Sequence, residues 1–319
     1  MKPGIPKISV IVLTYKQENV IGRALDSLLA QRDYIHEICV SDDCSPDGTW
    51  DVLQDYDKQY PGLFKLHRHP QNVGIFENIE STWTMPTGDF VYRLAGDDEC
   101  GEGWFKTVVE YIQKNHLDYE NEKLCVYGDF KAVYPNGDSM VFCNNLVLKD
   151  IDKVYLTLRN AIGNRSACFS SKIMKKYKKV SQGRSHIAET AIDIQLSLFS
   201  EKFYYIPKVG NIYYAGVGVS RRTSSDSFFA ERQEITPYAL KFLKAQGKEV
   251  DPRYNFFLEA NNAEKAYLPQ HSIKNLLKVI ALKLRSYDCR IGLKSIGFKQ
   301  AVFALRRRLP HRRPIVMYI

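Results

Sequence analysis

Long hydrophobic runs are missing from this 319-residue sequence, in which no apolar stretch reaches the roughly 18 residues that a membrane-spanning helix requires. The seven cysteines are scattered and never spaced as CxxC, which argues against a structural zinc site and indicates reduced thiols. No apolar core of a signal peptide follows Met1, and the sequence has neither internal repeats nor low-complexity segments. With 45% hydrophobic and 25% charged residues, we expect a globular, cytoplasmic protein.

Acidic residues are almost absent from the C-terminal tail. From residue 271 to the end there are twelve Lys or Arg against one acid, a net charge of +11, whereas residues 1–270 hold 33 bases and 35 acids. Residues 273–285 and 296–309 place apolar side chains at helical spacing among these bases. Basic amphipathic helices bind anionic membrane surfaces. We therefore predict that the tail contacts such a surface, and the alternative is that its apolar faces pack on the body.

Strand-like and helix-like segments alternate through the first hundred residues. Residues 7–15 form a continuous apolar run rich in β-branched side chains, which suits a strand buried on both faces of a parallel sheet. Strands are predicted at 7–15, 37–41, 64–67 and 90–94, and helices at 19–31, 50–60 and 75–83. This alternation predicts a mostly parallel sheet with helices on both faces.

The pattern is more varied after residue 100. A helix is predicted at 104–115, a strand at 124–128 and a hairpin at 130–142, where a Pro-Asn-Gly-Asp turn joins two apolar segments. Two late strands are predicted at 203–207 and 210–214, and everything after about residue 225 reads as helical.

Polar clusters follow the predicted strands where each strand ends, which in open α/β sheets is the edge that binds ligands. They are Thr14-Tyr15, Asp42-Asp43, Asn72–Gly74 and Asp97-Asp98. Two adjacent carboxylates at such an edge repel each other, and a cation bound there would stabilise them. A divalent metal ion that carries a diphosphate would supply this cation.

Four segments, in order and at the right spacing, resemble the motifs of the family 2 glycosyltransferases. They are residues 8–15, 40–47, 72–74 and 87–98. The resemblance implies a GT-A fold, with a nucleotide-binding, mixed but mostly parallel sheet flanked by helices, and transfer from a nucleotide-sugar donor with inversion. We expect a GT-A domain over 1–225, with a nucleotide-binding half (1–100) and an acceptor half (101–225), followed by a basic helical extension (226–319).

The resemblance places seven side chains around the nucleotide: Thr14, Tyr15, Asp42, Asp43, Asn72, Asn78 and Asp97. Thr14 and Tyr15 would line the slot for the base, and Asp43, or alternatively Asp42, would accept a hydrogen bond from a base N–H. Asp42 could instead cap the following helix. Asn78 could equally be a buried amide that ties its helix to a strand.

The resemblance also implies a Mg²⁺ or Mn²⁺ cofactor. Asp98 would be the direct ligand, and Asp97 would bind the ribose or a metal-bound water. Many relatives carry an acid where Ala95 stands and a His in the loop where this chain has Ala215. This chain therefore lacks that acid and that His as further metal ligands. The alternative is a solvated turn whose acids cap the next helix.

Inverting transfer needs a base that deprotonates the acceptor hydroxyl. By resemblance this base stands at the start of a helix, and Asp193 within residues 192–198 fits that register. The aliphatic neighbours of Asp193 would raise its pKa towards a useful range if it is buried. Glu189, four residues earlier, is the competing candidate.

The sequence therefore favours a glycosyltransferase that extends a lipid-linked glycan in bacterial surface-polysaccharide synthesis at the inner face of the cytoplasmic membrane. Two alternative classes fit the sequence less well. A nucleic-acid-binding protein is suggested by the basic tail, but the tail lacks interleaved aromatic residues and the body is not basic, so we expect no nucleic-acid partner. A nucleotidyltransferase would carry a Gly-rich basic loop near the first strand, and residues 14–17 are no such loop.

Overall fold

A buried central strand organises the N-terminal part of the protein. The computed structural model describes residues 4–143, 164–174, 192, 195–196, 199–217, 244–245, 274, 277–278, 281–282 and 315–318. Strand β1 (Ile8–Thr14) pairs in parallel with β2 (Glu37–Asp42) on one side and with β4 (Phe90–Ala95) on the other. Strand β3 (Phe64–Arg68) extends the sheet beyond β2, also in parallel. The predicted parallel half of the sheet is therefore confirmed.

Four helices cover the two faces of this sheet. They are α1 (Ile21–Leu29), α2 (Thr49–Gln59), α3 (Ile75–Ser81) and α4 (Trp104–Lys114). Side chains alternate across a strand, so Val10 and Val12 of β1 enter one hydrophobic core, whereas Ile11 enters a second core on the opposite face. Burial on both faces explains why the β1 sequence is continuously apolar instead of alternating.

The second half of the sheet is mixed. Its strands are β5 (Glu99–Cys100), β6 (Leu124–Val133), β7 (Ser139–Cys143), β8 (Cys168–Ser170) and β9 (Lys202–Tyr214). Strand β8 is antiparallel to both β4 and β6, β5 is antiparallel to β9, and β6 runs parallel to β9. The whole is one mixed sheet flanked by helices, as predicted.

The two late strands predicted at 203–207 and 210–214 are one strand in the structure. Register shifts on either side of Asp129 let β9 run past Pro207 without pairing it to β6. A bulge of this kind is where a sheet accommodates a proline, which has no N–H to donate. The Pro-containing break in the pattern therefore marks an irregularity within β9.

The chain divides into two compact units, Met1–Arg222 with Pro314–Met317, and Thr223–Arg313 with Tyr318–Ile319. The described residues between 244 and 282 are helical, but Ile315–Tyr318 forms strand β10. The prediction of helix to the end of the chain is wrong there, because Pro314 disfavours helix just before it and β-branched and aromatic side chains favour a strand. None of the helices in the described part of the chain has the length and apolarity of a membrane-spanning segment.

Candidate functional site

The acidic pair stands on a tight turn against the end of β1. Strand β4 ends at Ala95, and the N–H of Gly96 then donates to the carbonyl of Leu13 at 2.9 Å. A Cβ at Gly96 would lie 2.3 Å from Oε1 of Gln17 and 3.0 Å from the carbonyl oxygen of Leu13, so a larger residue would displace the Gln17 side chain and crowd the end of β1. The turn therefore places Asp97 and Asp98 at the carboxyl edge of the sheet, where the sequence predicted them.

Asp98 is buried, with 2% of its surface exposed. Its Oδ1 accepts a hydrogen bond from the backbone N–H of Tyr214 at 3.1 Å, and its Oδ2 lies 3.4 Å from Nη1 of Arg165. The guanidinium of Arg165 lies over the ring of Tyr213, 4.2 Å from its centroid. A buried carboxylate is costly without a cation beside it, and Arg165 supplies positive charge here.

A second arginine clamps the turn from the side of α1. Nη2 of Arg23 donates to the carbonyl of Asp97 at 2.6 Å, and Nε of Arg23 lies 3.3 Å from Oε1 of Glu99. The same guanidinium stacks on the ring of Tyr214 at 3.6 Å, and the Tyr214 hydroxyl donates to Glu99 at 2.7 Å. Burial and the neighbouring Glu99 raise the pKa of Tyr214 to about 12. The clamp thus joins α1, the acidic turn and the end of β9.

Asp43 holds the loop that follows β3. Its carboxylate accepts hydrogen bonds from the backbone N–H groups of Val73 and Gly74, at 2.7 and 2.9 Å, and from Nδ2 of Asn72 at 3.0 Å. Gly74 has a φ of +84°, in the region that favours glycine. Burial raises the pKa of Asp43, although the two N–H donors act to lower it. The structure therefore brings Asp43 and Asn72 together, and their contact with a nucleotide stays a prediction.

Asp42 is fully buried and closes the turn after β2. It accepts hydrogen bonds from the backbone N–H and from the hydroxyl of Ser45, and its Oδ2 lies 3.3 Å from Nε of Arg68. Arg68 in turn lies over the ring of Trp50, 5.3 Å from its centroid. These contacts position the turn beside β1, and they do not include the N-terminus of α2.

Asn78 lies beneath the loop of Asn72. It is 4% exposed, its Oδ1 accepts a hydrogen bond from the Ser41 hydroxyl at 2.6 Å, and its Nδ2 donates to the Ser41 carbonyl at 3.4 Å. These contacts are those of a buried amide that ties α3 to β2, which is the alternative that the sequence left open for Asn78. A contact of Asn78 with a nucleotide stays a prediction.

Unsatisfied polar atoms remain at the end of β1. The Thr14 hydroxyl and Oε1 of Gln17 are buried and have no hydrogen-bond partner within the part of the chain that the structure describes. Tyr15, the next residue, is half-buried. Buried polar groups without partners are rare in proteins, and a bound ligand is one way to satisfy them. Both candidate base-binding residues thus lie on the edge that carries the acids.

The candidate general bases fall outside the described residues. Neither Asp193 nor Glu189 is described, although Ile192, Gln195 and Leu196 are helical and buried. The predicted membrane-binding segments, 273–285 and 296–309, are described only at isolated positions.

Three contacting residues were missed by sequence reasoning: Arg23, Arg165 and Tyr214. A lone arginine on a helix or in a loop gives no signal in one sequence, because Arg23 and Arg165 contact the acidic turn from 74 and 67 residues away along the chain. Only the late Tyr213-Tyr214 pair, at the end of a predicted strand, pointed to this edge of the sheet.

Comparison with known proteins identifies the family of the chain. The sequence model of Glycosyl transferase family 2 matches residues 9–175, which is more than half of the chain. The GalNAc(5)-diNAcBac-PP-undecaprenol beta-1,3-glucosyltransferase of Campylobacter jejuni is 26% identical over 213 residues, covering 66% of this chain and 65% of that protein. The poly(ribitol-phosphate) beta-glucosyltransferase of Bacillus spizizenii is 28% identical over 122 residues, covering 37% of this chain and 19% of that protein. The chain therefore spans less than two thirds of the length of both relatives.

The fold is also that of a solved structure. Residues 1–349 of S. aureus TarS, in complex with UDP-GlcNAc, superpose with a TM-score of 0.54 at 15% identity, covering 86% of this chain and 79% of that one. This likeness identifies the mixed sheet and its flanking helices as a GT-A fold. The match of the family model to more than half of the chain leads to one conclusion: the chain belongs to glycosyl transferase family 2.

Proposed function

We propose that the protein transfers a sugar from a nucleotide-diphosphate sugar to a glycan acceptor, with inversion, and that the diphosphate is bound at Asp97 and Asp98. The buried Asp98 carries this proposal, because it is held at the ligand-binding edge of the sheet by a backbone N–H and faces a cation. The UDP-GlcNAc complex of TarS, a protein of the same fold, supports a donor of this chemical class.

The donor set at the turn fits Mg²⁺ or Mn²⁺. Within the described residues, no group of three or more His, Cys, Asp or Glu side chains could hold a metal ion by itself. Mg²⁺ is commonly held by one or two carboxylates, with substrate phosphates and waters as its other ligands. Asp98 and Asp97 would hold a metal ion that shares its coordination with the diphosphate. Such an ion neutralises the charge that develops on the leaving group.

The base and ribose of the donor would bind along the end of β1. The unsatisfied hydroxyl of Thr14 and the half-buried ring of Tyr15 support a base slot there. Asp43 would accept a hydrogen bond from a base N–H while it holds the loop of Asn72. Burial raises the pKa of Asp43 because it disfavours the ionised carboxylate. A hydrogen bond from a base N–H would stabilise that ionised form, which favours binding of the base.

Inversion requires a base on the side of the sugar opposite the diphosphate, and Asp193, with Glu189 as the alternative, is proposed for it. The Campylobacter relative is named for a glycan on undecaprenyl diphosphate. This name supports a lipid-linked acceptor in cell-surface polysaccharide synthesis. The basic tail would then bind the anionic inner face of the membrane.

The proposal is tested by screening nucleotide-diphosphate sugars for thermal stabilisation of the protein, with and without Mn²⁺. We expect at least one donor to raise the melting temperature by several degrees only when Mn²⁺ is present, because a ligand at 100 times its Kd stabilises the native state by about 2.7 kcal/mol. The same donor should be hydrolysed slowly without acceptor. A protein that binds no donor of a broad panel under these conditions would refute the proposed function.

A further inference from the structure

The position of Arg165 is fixed from both sides. It belongs to a short 3₁₀ helix, Asn164–Ser166, that leads into β8. The hydroxyl of Ser166 is fully buried and contacts the carbonyls of Gly128 and Asp129 at 3.0 and 2.9 Å, which anchors this turn to β6. On its other side the guanidinium of Arg165 lies over the Tyr213 ring. The backbone anchor and the aromatic platform hold the Arg165 side chain at the acidic turn.

Arg165 and Asp98 differ in exposure. The Asp98 side chain is 3% exposed, whereas 39% of the Arg165 side chain reaches solvent. The partly exposed Arg165 side chain is therefore more accessible to a ligand from solvent than the buried carboxylate. A guanidinium has five N–H donors in a fixed fork that matches phosphate oxygens, so it can bind an anion from this position.

The position of Arg165 next to Asp98 disfavours binding of a metal ion in the absence of other ligands. A divalent cation on Asp98 would lie within a few ångströms of the Arg165 guanidinium, and two such cations repel each other. A diphosphate removes the conflict because its negative oxygens attract both cations. Metal and diphosphate would therefore bind more favourably together than apart, which is a positive coupling between the two ligands.

Building on the proposed function, we propose that Arg165 balances the charge of Asp98 in the free protein and binds the diphosphate of the donor in the complex. In the complex, Asp98 would hold the metal ion and the Arg165 guanidinium would donate to the phosphate oxygens. Arg165 thereby makes metal binding depend on the nucleotide.

The experiment measures two affinities by titration calorimetry and by Mn²⁺ electron paramagnetic resonance. The first is Mn²⁺ alone, and the second is UDP, GDP, CDP or ADP at saturating Mn²⁺. In Arg165→Met, we expect Mn²⁺ alone to bind several-fold more tightly, because a neighbouring positive charge is gone. We expect the nucleoside diphosphate to bind about tenfold more weakly, because it loses a charge-assisted hydrogen bond. These opposite changes distinguish the proposed role from a structural one, which would not tighten Mn²⁺ binding.

Two variants complete the test. Arg32→Met removes an exposed arginine in a different part of the fold and should leave both affinities unchanged. Arg165→Lys keeps the charge but not the fork, so it should restore weak binding of Mn²⁺ and recover only part of the nucleotide affinity. If Arg165→Met leaves both affinities unchanged, or shifts both in one direction, the role of Arg165 is refuted while the proposed function stands. If the wild-type protein binds none of the four nucleotides with Mn²⁺, both proposals fall.

Discussion

Buried acids at the two ends of the parallel sheet differ in their partners and in the direction of their pKa shifts. At the amino end, Glu37 opens β2 and is 4% exposed. Its carboxylate accepts hydrogen bonds from the Ser9 hydroxyl at 2.6 Å and from the N–H and hydroxyl of Thr87, and it pairs with Lys65. Burial alone would raise the pKa of Glu37, but Lys65 and these donors lower it to about 2.

At the carboxyl end, burial has a larger effect on the pKa of an acid than its hydrogen-bond donors have. Asp43 has a raised pKa because its burial outweighs its two backbone donors. Among the described residues, the nearby Thr14 hydroxyl has no hydrogen-bond partner. The Glu37 carboxylate at the amino end is thus satisfied by the protein itself, whereas the carboxyl end carries a carboxylate with a raised pKa and a hydroxyl that a ligand would stabilise.

The largest difference in transfer rate is expected between two variants that each lose one carboxylate, one at the carboxyl end of the sheet and one at the amino end. Asp98→Asn should lower the rate of transfer about 10³-fold, because a metal ion at a leaving group supplies several kcal/mol and each 1.36 kcal/mol is a factor of ten. Initial rates with a radiolabelled donor measure the change.

Asp89→Asn is the matched control at the amino end. Its carboxylate accepts a hydrogen bond from the backbone N–H of Lys7 at 2.9 Å, at an exposed position. This variant should keep full activity. Equal losses in both variants, or full activity of Asp98→Asn, would remove the functional distinction between the two edges.

Glu37→Gln tests the amino end as a source of stability. An acid whose pKa falls on folding stabilises the native state at pH values above its unfolded pKa, 4.5 for Glu37, and loses this contribution as the pH falls through about 2. A shift of this size corresponds to about 3 kcal/mol at pH 7.

Urea unfolding of the wild type and Glu37→Gln measures this contribution. We expect the difference in unfolding free energy to fall to about half its pH 7 value at pH 3, with activity per folded molecule unchanged. A difference that does not change with pH would show that the charge of Glu37 is not what stabilises this edge.

A smaller effect is expected from the clamp at the carboxyl end. Arg23→Met removes the contacts of the guanidinium with the Asp97 carbonyl and Glu99, so the acidic turn should lose part of its fixed geometry. We expect kcat/KM to fall about tenfold, since misplacement of binding groups by about 1 Å can cost as much or more. The Mn²⁺ concentration for half-maximal activity should rise as well.

Arg32→Met again serves as the control for Arg23→Met. A variant that lost only folded protein would show lower activity at every Mn²⁺ concentration, without a shift in the midpoint of the titration. That result would assign Arg23 a structural role and leave the acidic turn independent of it.

The sequence predicted most of the parallel half because its signals are local. The continuous apolar run of β1 and the acids after β2 and β4 each follow from a few neighbouring residues. The contacts of Arg165 and Tyr214 with Asp98 depend on how β8 and β9 join the mixed half of the sheet, which neighbouring residues do not determine. The bulge of β9 at Pro207 escaped prediction for the same reason, since it depends on the register with the partner strand β6.

A diffraction experiment tests the central claim most directly. Crystals grown with Mn²⁺ and a nucleoside diphosphate, measured at the manganese absorption edge, locate the ion independently of the protein. The account predicts an anomalous peak about 2.1 Å from a carboxylate oxygen of Asp98, as expected for a small divalent cation with oxygen ligands, with diphosphate oxygens on the same ion. An ordered diphosphate at another edge of the sheet, or a manganese ion away from Asp97 and Asp98, would contradict it.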